Sequence, residues 1–357
     1  MKYSEFGLVN TKQMFSDAIR RKYAIPAFNF YNMETLNAIL TAARETHSPA
    51  ILAVSESAMK YMGEEMLMGL VRGANIKPDE QIALHLDHGS SVEACRKAID
   101  LGFSSVMIDA SKLPFEENID LTKSVVEYAH KHNVSVEAEL GTLSGIEDEN
   151  TQSKTSSYTN PDDAIKFVTA TKIDSLAIAI GTSHGAYKRK SDDEELRFDI
   201  LEKIAKQMPD FPLVLHGSSQ IPAHLIETIN KFGGDMPNAR GIAAAQLRQA
   251  TQMNICKINV DSDLRLAMTT AVRQSLAEDP KNFNPREYLG AGTKEIIKTC
   301  IDEIKNIMGS NNKLYSNKNR PMRGGSKTIV NYFALSTYSN VSVLTTIFSP
   351  CSINKGT

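Results

Sequence analysis

From about Tyr23 to about Ala277 the apolar positions keep two alternating rhythms. Short β-prone runs alternate with stretches whose apolar residues recur at helical spacing, as in Leu36, Ile39, Leu40 and Ala43, or Leu121, Val125, Val126 and Ala129. This alternation predicts parallel βαβ units. The β-prone runs are Ala24 to Phe30, Ala50 to Ser55, Ile82 to His88, Ser104 to Ala110, Ser135 to Gly141, Ser175 to Gly181, Leu213 to Gly217 and Cys256 to Asp261. Eight strands, each followed by a helix, is the count of an α/β fold of the (β/α)8 TIM-barrel type. A doubly wound sheet is the alternative, but it carries a glycine fingerprint after its first strand, where this chain has Asn29-Phe30-Tyr31-Asn32. Polar residues also sit at the ends of many strands: Asn29, Ser55, Asp87 and His88, Asp109, Glu139, His184, His216, Asn259 and Asp261. Barrels gather chemistry in this way at the C-terminal ends of their strands, and the barrel is the expected fold.

Outside the eight units the pattern changes twice. Thr142 to Asn160 and Thr182 to Glu195 are long, polar βα connections, the first a candidate lid. Asn284 to Gly309 reads as a terminal helix pair, with Pro285 near a helix start and Gly309 at its end. From Ser310 onward there is no Asp or Glu and much Ser, Thr and Asn. The expected organisation is a barrel domain over residues 1–309, extra C-terminal helices included, and a tail over 310–357 outside the barrel, read as disordered.

Composition removes several function classes. A formal charge of -2 provides no basic field for nucleic acid, so the expected partners are small molecules. The N-terminus MKYSEFGLVN has no apolar signal core, and no apolar run approaches the roughly 18 residues of a membrane span. No membrane partner and a cytoplasmic location are expected. Cys95, Cys256, Cys300 and Cys351 form no CxxC pair and read as reduced thiols.

Candidate chemistry follows the strand ends. His88, His184 and His216 are each followed directly by glycine, and three imidazoles with an open fourth position are a catalytic zinc ligand set. For one histidine alone, a hydrogen-bonded structural role is the ordinary reading; three alike argue for a metal. Asp87, Asp109 and Glu139 could serve as ligand, orienter or general base, and Asp109 and Glu139 equally as helix caps or structural ion partners. His85 shares strand parity with Asp87 and is expected inside the barrel. The runs His216 to Ser219 and Asn259 to Asp263 follow strands seven and eight, where barrels commonly hold phosphate, with Lys188, Arg265 and Arg286 as candidate cations. Lys257 has the parity to point inward, which leaves a Schiff-base chemistry open.

The segments AFNFYNME, LHLDHG, GFSSVMIDAS, VEAELGTLSGIEDE, AIGTSHGAYK, LVLHGSS and KINVDSDLR, in this order, resemble the successive motifs of class II fructose-1,6-bisphosphate aldolases over roughly Thr11 to Ile307. The resemblance implies zinc at His88, His184 and His216, with a monovalent cation as a second candidate cofactor. It implies that Asp87 exchanges a proton with the C4 hydroxyl, that Glu147 handles the C3 proton, and that Asn259 bonds the enediolate. Asp109 and Glu139 match second-metal or supporting positions. Gly185, Lys188, Gly217, Ser219 and Ser262 match the C1-phosphate cradle. Asn29, Ser55, Asp261, Arg265 and Arg286 match the remaining substrate contacts, Arg286 from a neighbouring subunit of a homodimer or homotetramer. The implied reaction is cleavage of fructose 1,6-bisphosphate to dihydroxyacetone phosphate and glyceraldehyde 3-phosphate, and its reverse. The alternatives are a tagatose-1,6-bisphosphate aldolase, in which the residue matching Asp261 is typically alanine, and a non-catalytic sugar-phosphate-binding barrel.

Overall fold

A computed structural model describes residues 1–143, 145–147, 151–153, 157–188 and 194–315, with the backbone alone at 146–147 and 151–153. Its strands are β1 Ile25–Asn29, β2 Ala50–Ser55, β3 Ile82–Gly89, β4 Ser105–Ile108, β5 Ser135–Leu140, β6 Gly145–Glu147, β7 Thr151–Ser153, β8 Ser175–Ile178, β9 Leu213–Leu215 and β10 Ile255–Val260. Eight of them close a parallel barrel in the order β1-β10-β9-β8-β5-β4-β3-β2, as the alternation predicts. The other two, β6 and β7, pair antiparallel as a small hairpin inside the expected lid segment.

Strand alternation explains how one sheet serves two environments. Phe28, Leu52, Leu84, Val106, Val136, Leu176, Leu215 and Ile258 face the helices and belong to the main core. Their neighbours face the barrel axis in layers. At the bottom, Ile25, Ala27, Ile51 and Ala83 pack against Met14, Phe15 and Ala18 of the helix Thr11–Arg21. Higher up the inward positions become polar, and they lead to the functional residues at the mouth. The helix Thr11–Arg21 precedes the first expected strand; its role as a floor for the barrel could not be read from local pattern.

Several expected boundaries are corrected. β4, β8 and β9 end before the predicted residues because the chain leaves the ladder to enter the mouth. Past the end of β8, for example, the Ala179 N–H donates to Thr159 Oγ1 at 2.8 Å. The expected terminal helix pair is one helix, Pro285–Asp302, that runs on into a π-helical segment, Glu303–Met308, capped by Gly309. The expected boundary at 309/310 also moves, because Ser310 to Tyr315 are fastened to the barrel and the compact unit runs from Met1 to Tyr315. Ser48 Oγ donates to the buried Ser310 Oγ at 2.7 Å, and the Gln81 side chain pairs with both main-chain groups of Tyr315 at 2.8 and 3.2 Å. The rest of the tail, residues 316–357 with Cys351, lies outside the described residues. Cys95, Cys256 and Cys300 are free and buried, as expected. Among the described residues no helix is long and apolar enough to cross a membrane.

Candidate active site

A cavity of about 540 Å³ opens at the C-terminal mouth of the barrel. Its lining includes Asn29, Ser55, Asp87, His88, Asp109, His184, Gly185, Lys188, His216, Gly217, Ser219, Asn259, Asp261, Ser262 and Arg265. The strand-end candidates thus converge, although they are separated by more than 200 positions in the chain. Two candidates with described side chains do not line it. Glu139 lies just behind His88, with Oε2 3.8 Å from His88 Nδ1. Arg286 is exposed at the start of the helix Pro285–Asp302 and bonds Asn284. Glu147 ends β6, and its side chain lies outside the described residues.

Local backbone conformation brings the histidines together. Gly185 and Gly217 take left-handed conformations, with φ of 85° and 60°. A Cβ at Gly217 would stand 2.6 Å from the Ser183 carbonyl, so the loop after β9 needs glycine to lie against the loop after β8. At β3 the roles are exchanged: His88 itself turns left-handed, at φ 50°, and the ladder to β4 shifts register between Leu86 and Gly89. The His88 ring meets those of His216 and His184 edge to face at 4.4 and 5.3 Å. One ligand atom from each of the three lies within 4.8 Å of the others, and His88, Asp109 and Glu139 form a second such group.

Hydrogen bonds assign the tautomers. Lys257, fully buried, donates to both oxygens of Glu137 at 2.8 and 2.9 Å and to His85 Nε2 at 3.3 Å. His85 therefore carries its proton on Nδ1 and donates it to Ser105 Oγ at 2.8 Å. Burial and the neighbouring ammonium push the His85 imidazole down to about 3, so it stays neutral. Burial alone would raise the Glu137 carboxyl, but Lys257 and the His216 hydrogen bond, with smaller contributions from the neighbouring histidines, together outweigh it and hold Glu137 ionised. An ionised Glu137 only accepts, so His216 Nε2 carries a proton and donates it across 2.7 Å. The other nitrogen, His216 Nδ1, is buried with no hydrogen-bond partner among the described residues and faces Asp87 Oδ1 at 3.8 Å. By the same logic His88 Nδ1 donates to Asp109 Oδ2 at 3.1 Å, which leaves Nε2 as its lone-pair nitrogen. Two imidazoles are thus oriented by carboxylates, the usual support of metal-binding histidine. These donors fit a divalent metal.

Asp87 is held equally firmly. Asn29 Nδ2 and Asn259 Nδ2 donate to its two oxygens at 2.8 and 2.9 Å. Burial works to raise this carboxyl; positive charge on His88 and His216, when these are protonated, and the Lys257 ammonium lower it below the ordinary carboxylate range. The Asn29 and Asn259 Oδ1 atoms are buried without a donor among the described residues, acceptors suited to a hydroxyl-bearing ligand.

The family model described as fructose-bisphosphate aldolase class-II matches residues 9–313. The chain belongs to the class II fructose-bisphosphate aldolases. A fructose-bisphosphate aldolase of Treponema pallidum is 47% identical over 326 residues, covering 86% of this chain and 98% of its own. One from Giardia intestinalis is 49% identical over 300 residues, covering 84% and 92%. Among solved structures, the YdjI aldolase from Escherichia coli K12 matches with a TM-score of 0.67 at 29% identity, over 86% of this chain and 100% of that one. The chain is therefore a carbon–carbon lyase acting on a sugar bisphosphate, in a family that uses a divalent metal.

Two sequence readings change inside this aldolase. Lys257 is no Schiff-base nucleophile: its amine is enclosed by Glu137 and His85 and does not reach the cavity. Glu137, not singled out from the sequence, orients His216; its inward parity, two residues before Glu139, was the available signal. Ser55 has a second task, since its Oγ also caps the helix Glu56–Met62.

Proposed function

We propose that the chain cleaves fructose 1,6-bisphosphate to dihydroxyacetone phosphate and glyceraldehyde 3-phosphate, and catalyses the reverse condensation, with zinc held by His88, His184 and His216. The carrying observation is the oriented histidine cluster, whose His216 Nδ1 has no hydrogen-bond partner among the described residues, beside a clamped Asp87 carboxylate. Zinc bound there supplies Lewis-acid polarisation of the ketose oxygens and stabilises the enediolate charge. Every other task falls to the protein. Asp87, ionised and fixed by Asn29 and Asn259, takes the proton of the C4 hydroxyl as the C3–C4 bond breaks. Asn259 keeps its Oδ1 for the enediolate hydroxyl, and Glu147, on the hairpin of the lid segment, returns a proton to C3. Asp109 and Glu139 orient His88 and offer a second metal position.

Gly185, Lys188, Gly217, Ser219 and Ser262 hold the C1 phosphate. Ser262 supports this role as the first residue of the helix Ser262–Glu278, whose N-terminal amides favour an anion. Asn29, Ser55, Asp261 and Arg265 bind the rest of the sugar. Arg265 forms an ion pair with Asp261 at 2.9 Å, which orients that carboxylate for the fructose epimer. Arg286 serves the C6 phosphate of a neighbouring subunit in a homodimer or homotetramer, and the enzyme works in the cytoplasm. A monovalent cation is a second cofactor to test.

The test is metal removal. A strong chelator should abolish cleavage, and zinc should restore it. His88→Ala, His184→Ala and His216→Ala should each purify without stoichiometric zinc, since two imidazoles rarely retain a catalytic ion. Full turnover by protein shown to be metal-free would overturn the zinc assignment.

A further inference from the structure

The loop after β9 carries Gly217, Ser218 and Ser219 along the cavity and then enters a conformation its sequence disfavours. Ile221 is left-handed at φ 55°, a region in which a β-branched residue persists only when its surroundings impose it. One flank is held by the main chain: Ile242 N–H donates to Ser219 O at 3.1 Å, and Gly241 packs so closely that a Cβ there would lie 2.3 Å from Gln220. The other flank is held by two buried carboxyls. Asp263, in the first turn of the helix Ser262–Glu278, accepts the backbone N–H groups of Gln220 and Ile221, each at 2.8 Å. Glu303, in the π-helical segment, accepts Gln220 Nε2 at 2.8 Å, and its buried carboxyl neighbours that of Asp263 closely enough for the two charges to interact. Neither lines the cavity.

Two neighbouring carboxyls buried in a dry interior do not both ionise, so the pair holds a proton. Glu303 Oε2 is buried with no donor among the described residues, which marks it as the oxygen whose proton completes the contact. Burial raises the Asp263 carboxyl too, but its two amide donors and the nearby Lys188 ammonium oppose this, so the anion falls on Asp263 rather than on Glu303. Burial and that anion push the Glu303 carboxyl well above its usual range.

We propose that Asp263 and a protonated Glu303 are a positioning pair, which holds Ile221 left-handed and thereby sets Ser219 and the adjoining amides for the substrate phosphate. This rests on the reading of Gly217 to Ser219 as part of a phosphate cradle. The pair acts on phosphate affinity and takes no part in C–C chemistry.

The experiment compares Glu303→Leu, Glu303→Gln and Ser219→Ala in the metal-loaded enzyme, measuring kcat, the KM for fructose 1,6-bisphosphate and competitive inhibition by inorganic phosphate. In Glu303→Leu, KM and the phosphate inhibition constant should rise together about tenfold, the scale of one buried hydrogen bond to a charged group, with kcat nearly unchanged. Glu303→Gln should stay near wild type, because its amide donates to Asp263 and accepts from Gln220. A loss of kcat alone would signal general destabilisation and overturn the proposal, as would equal losses in Glu303→Gln and Glu303→Leu. If Ser219→Ala leaves phosphate inhibition unchanged, the cradle reading fails and the proposal falls with it. If Ser219→Ala weakens inhibition and Glu303→Leu does not, the cradle stands and the pair is not its support. Should Glu303→Leu not fold, infrared difference spectra decide: wild type at neutral pH should show the C=O stretch of a buried neutral carboxylic acid, absent from Glu303→Gln. Lack of that band overturns the pair.

Discussion

At the scale of single residues the site depends on a few side chains whose protonation is set by their neighbours. Asp87 and Glu147 are both carboxylates, but their proposed protons differ. Asp87→Ala should suppress cleavage by about 10²–10⁴-fold, the usual range for a general acid–base group, while zinc content is retained. Glu147→Ala should chiefly slow solvent exchange of the C3 proton of dihydroxyacetone phosphate; exchange at the wild-type rate would remove that assignment. Lys188 gives a pH prediction. Burial lowers its ammonium to about 8, despite the opposing pull of Asp263 and Asp261. A bound phosphate is dianionic well below this pH, so loss of affinity reports the lysine. Between pH 7 and pH 9 the KM for the bisphosphate should rise about tenfold as the charged fraction falls. Lys188→Arg, permanently charged, should show a flat KM over the same range. A flat wild-type profile would exclude Lys188 from phosphate binding. Stability moves the opposite way: the folded state binds fewer protons than the unfolded between about 8 and 10.5. The penalty from this lysine is therefore present in full below pH 8 and fades as pH rises toward 10.5.

At the scale of elements, the decisive features are strand ends that leave the barrel ladder. The strands β3 and β9 deliver His88 and His216, and each does so through a left-handed residue, His88 itself or Gly217. Gly217→Ala tests this directly. An alanine there meets the Ser183 carbonyl at 2.6 Å and takes a conformation that costs an L-residue about 1–2 kcal/mol. The backbone must shift, which displaces His216 on one side and Ser219 on the other. The expected outcome is weakened zinc retention together with a raised KM. A variant with wild-type zinc content and KM would mean that the loop tolerates the side chain and that the close approach is not needed. The hairpin of β6 and β7 belongs to the same scale: a Cβ at Gly145 would lie 2.4 Å from the His184 carbonyl, so the base of the lid segment lies directly on a ligand-bearing loop.

For the whole molecule, the barrel axis links stability to the site. The run Ser105, His85, Lys257, Glu137, His216 crosses the interior from β4 to β9 through buried groups, each bonded to the next. Lys257→Met would leave the Glu137 carboxylate buried opposite an apolar side chain, and breaking such a pair typically costs about 3–5 kcal/mol. A lower Tm is expected, together with weaker zinc binding, because Glu137 then no longer has a fixed position from which to orient His216. Adding Glu137→Gln should recover part of the Tm by removing the unpaired charge. Equal Tm values for wild type and Lys257→Met would show that the ion pair is not part of the stable core.

What the sequence alone determined is whatever local periodicity and ordered motifs encode. Alternating β and helical rhythms specify the barrel, since burial of strands on both faces leaves a pattern in neighbouring residues. Polar residues at strand ends specify where chemistry gathers, and three His-Gly steps identify the metal candidates. What only the tertiary structure decided is what depends on residues distant in the chain. Lys257 read as a potential nucleophile until Glu137, 120 positions earlier, was seen to enclose it. The tautomer of His216 follows from that same carboxylate, and no local signal carries it. Asp263 figured only as the end of the run Asn259 to Asp263, yet its carboxylate faces a loop more than 40 positions earlier in the chain and a glutamate 40 positions later. Residues 310–315 depend on distant residues in the same way: hydrogen bonds from Ser48 and Gln81, on the far side of the chain order, hold a segment that composition alone reads as loose. Protonation, orientation and anchoring are set by the electrostatic field and packing of the folded barrel, and these exist only once distant strands have come together.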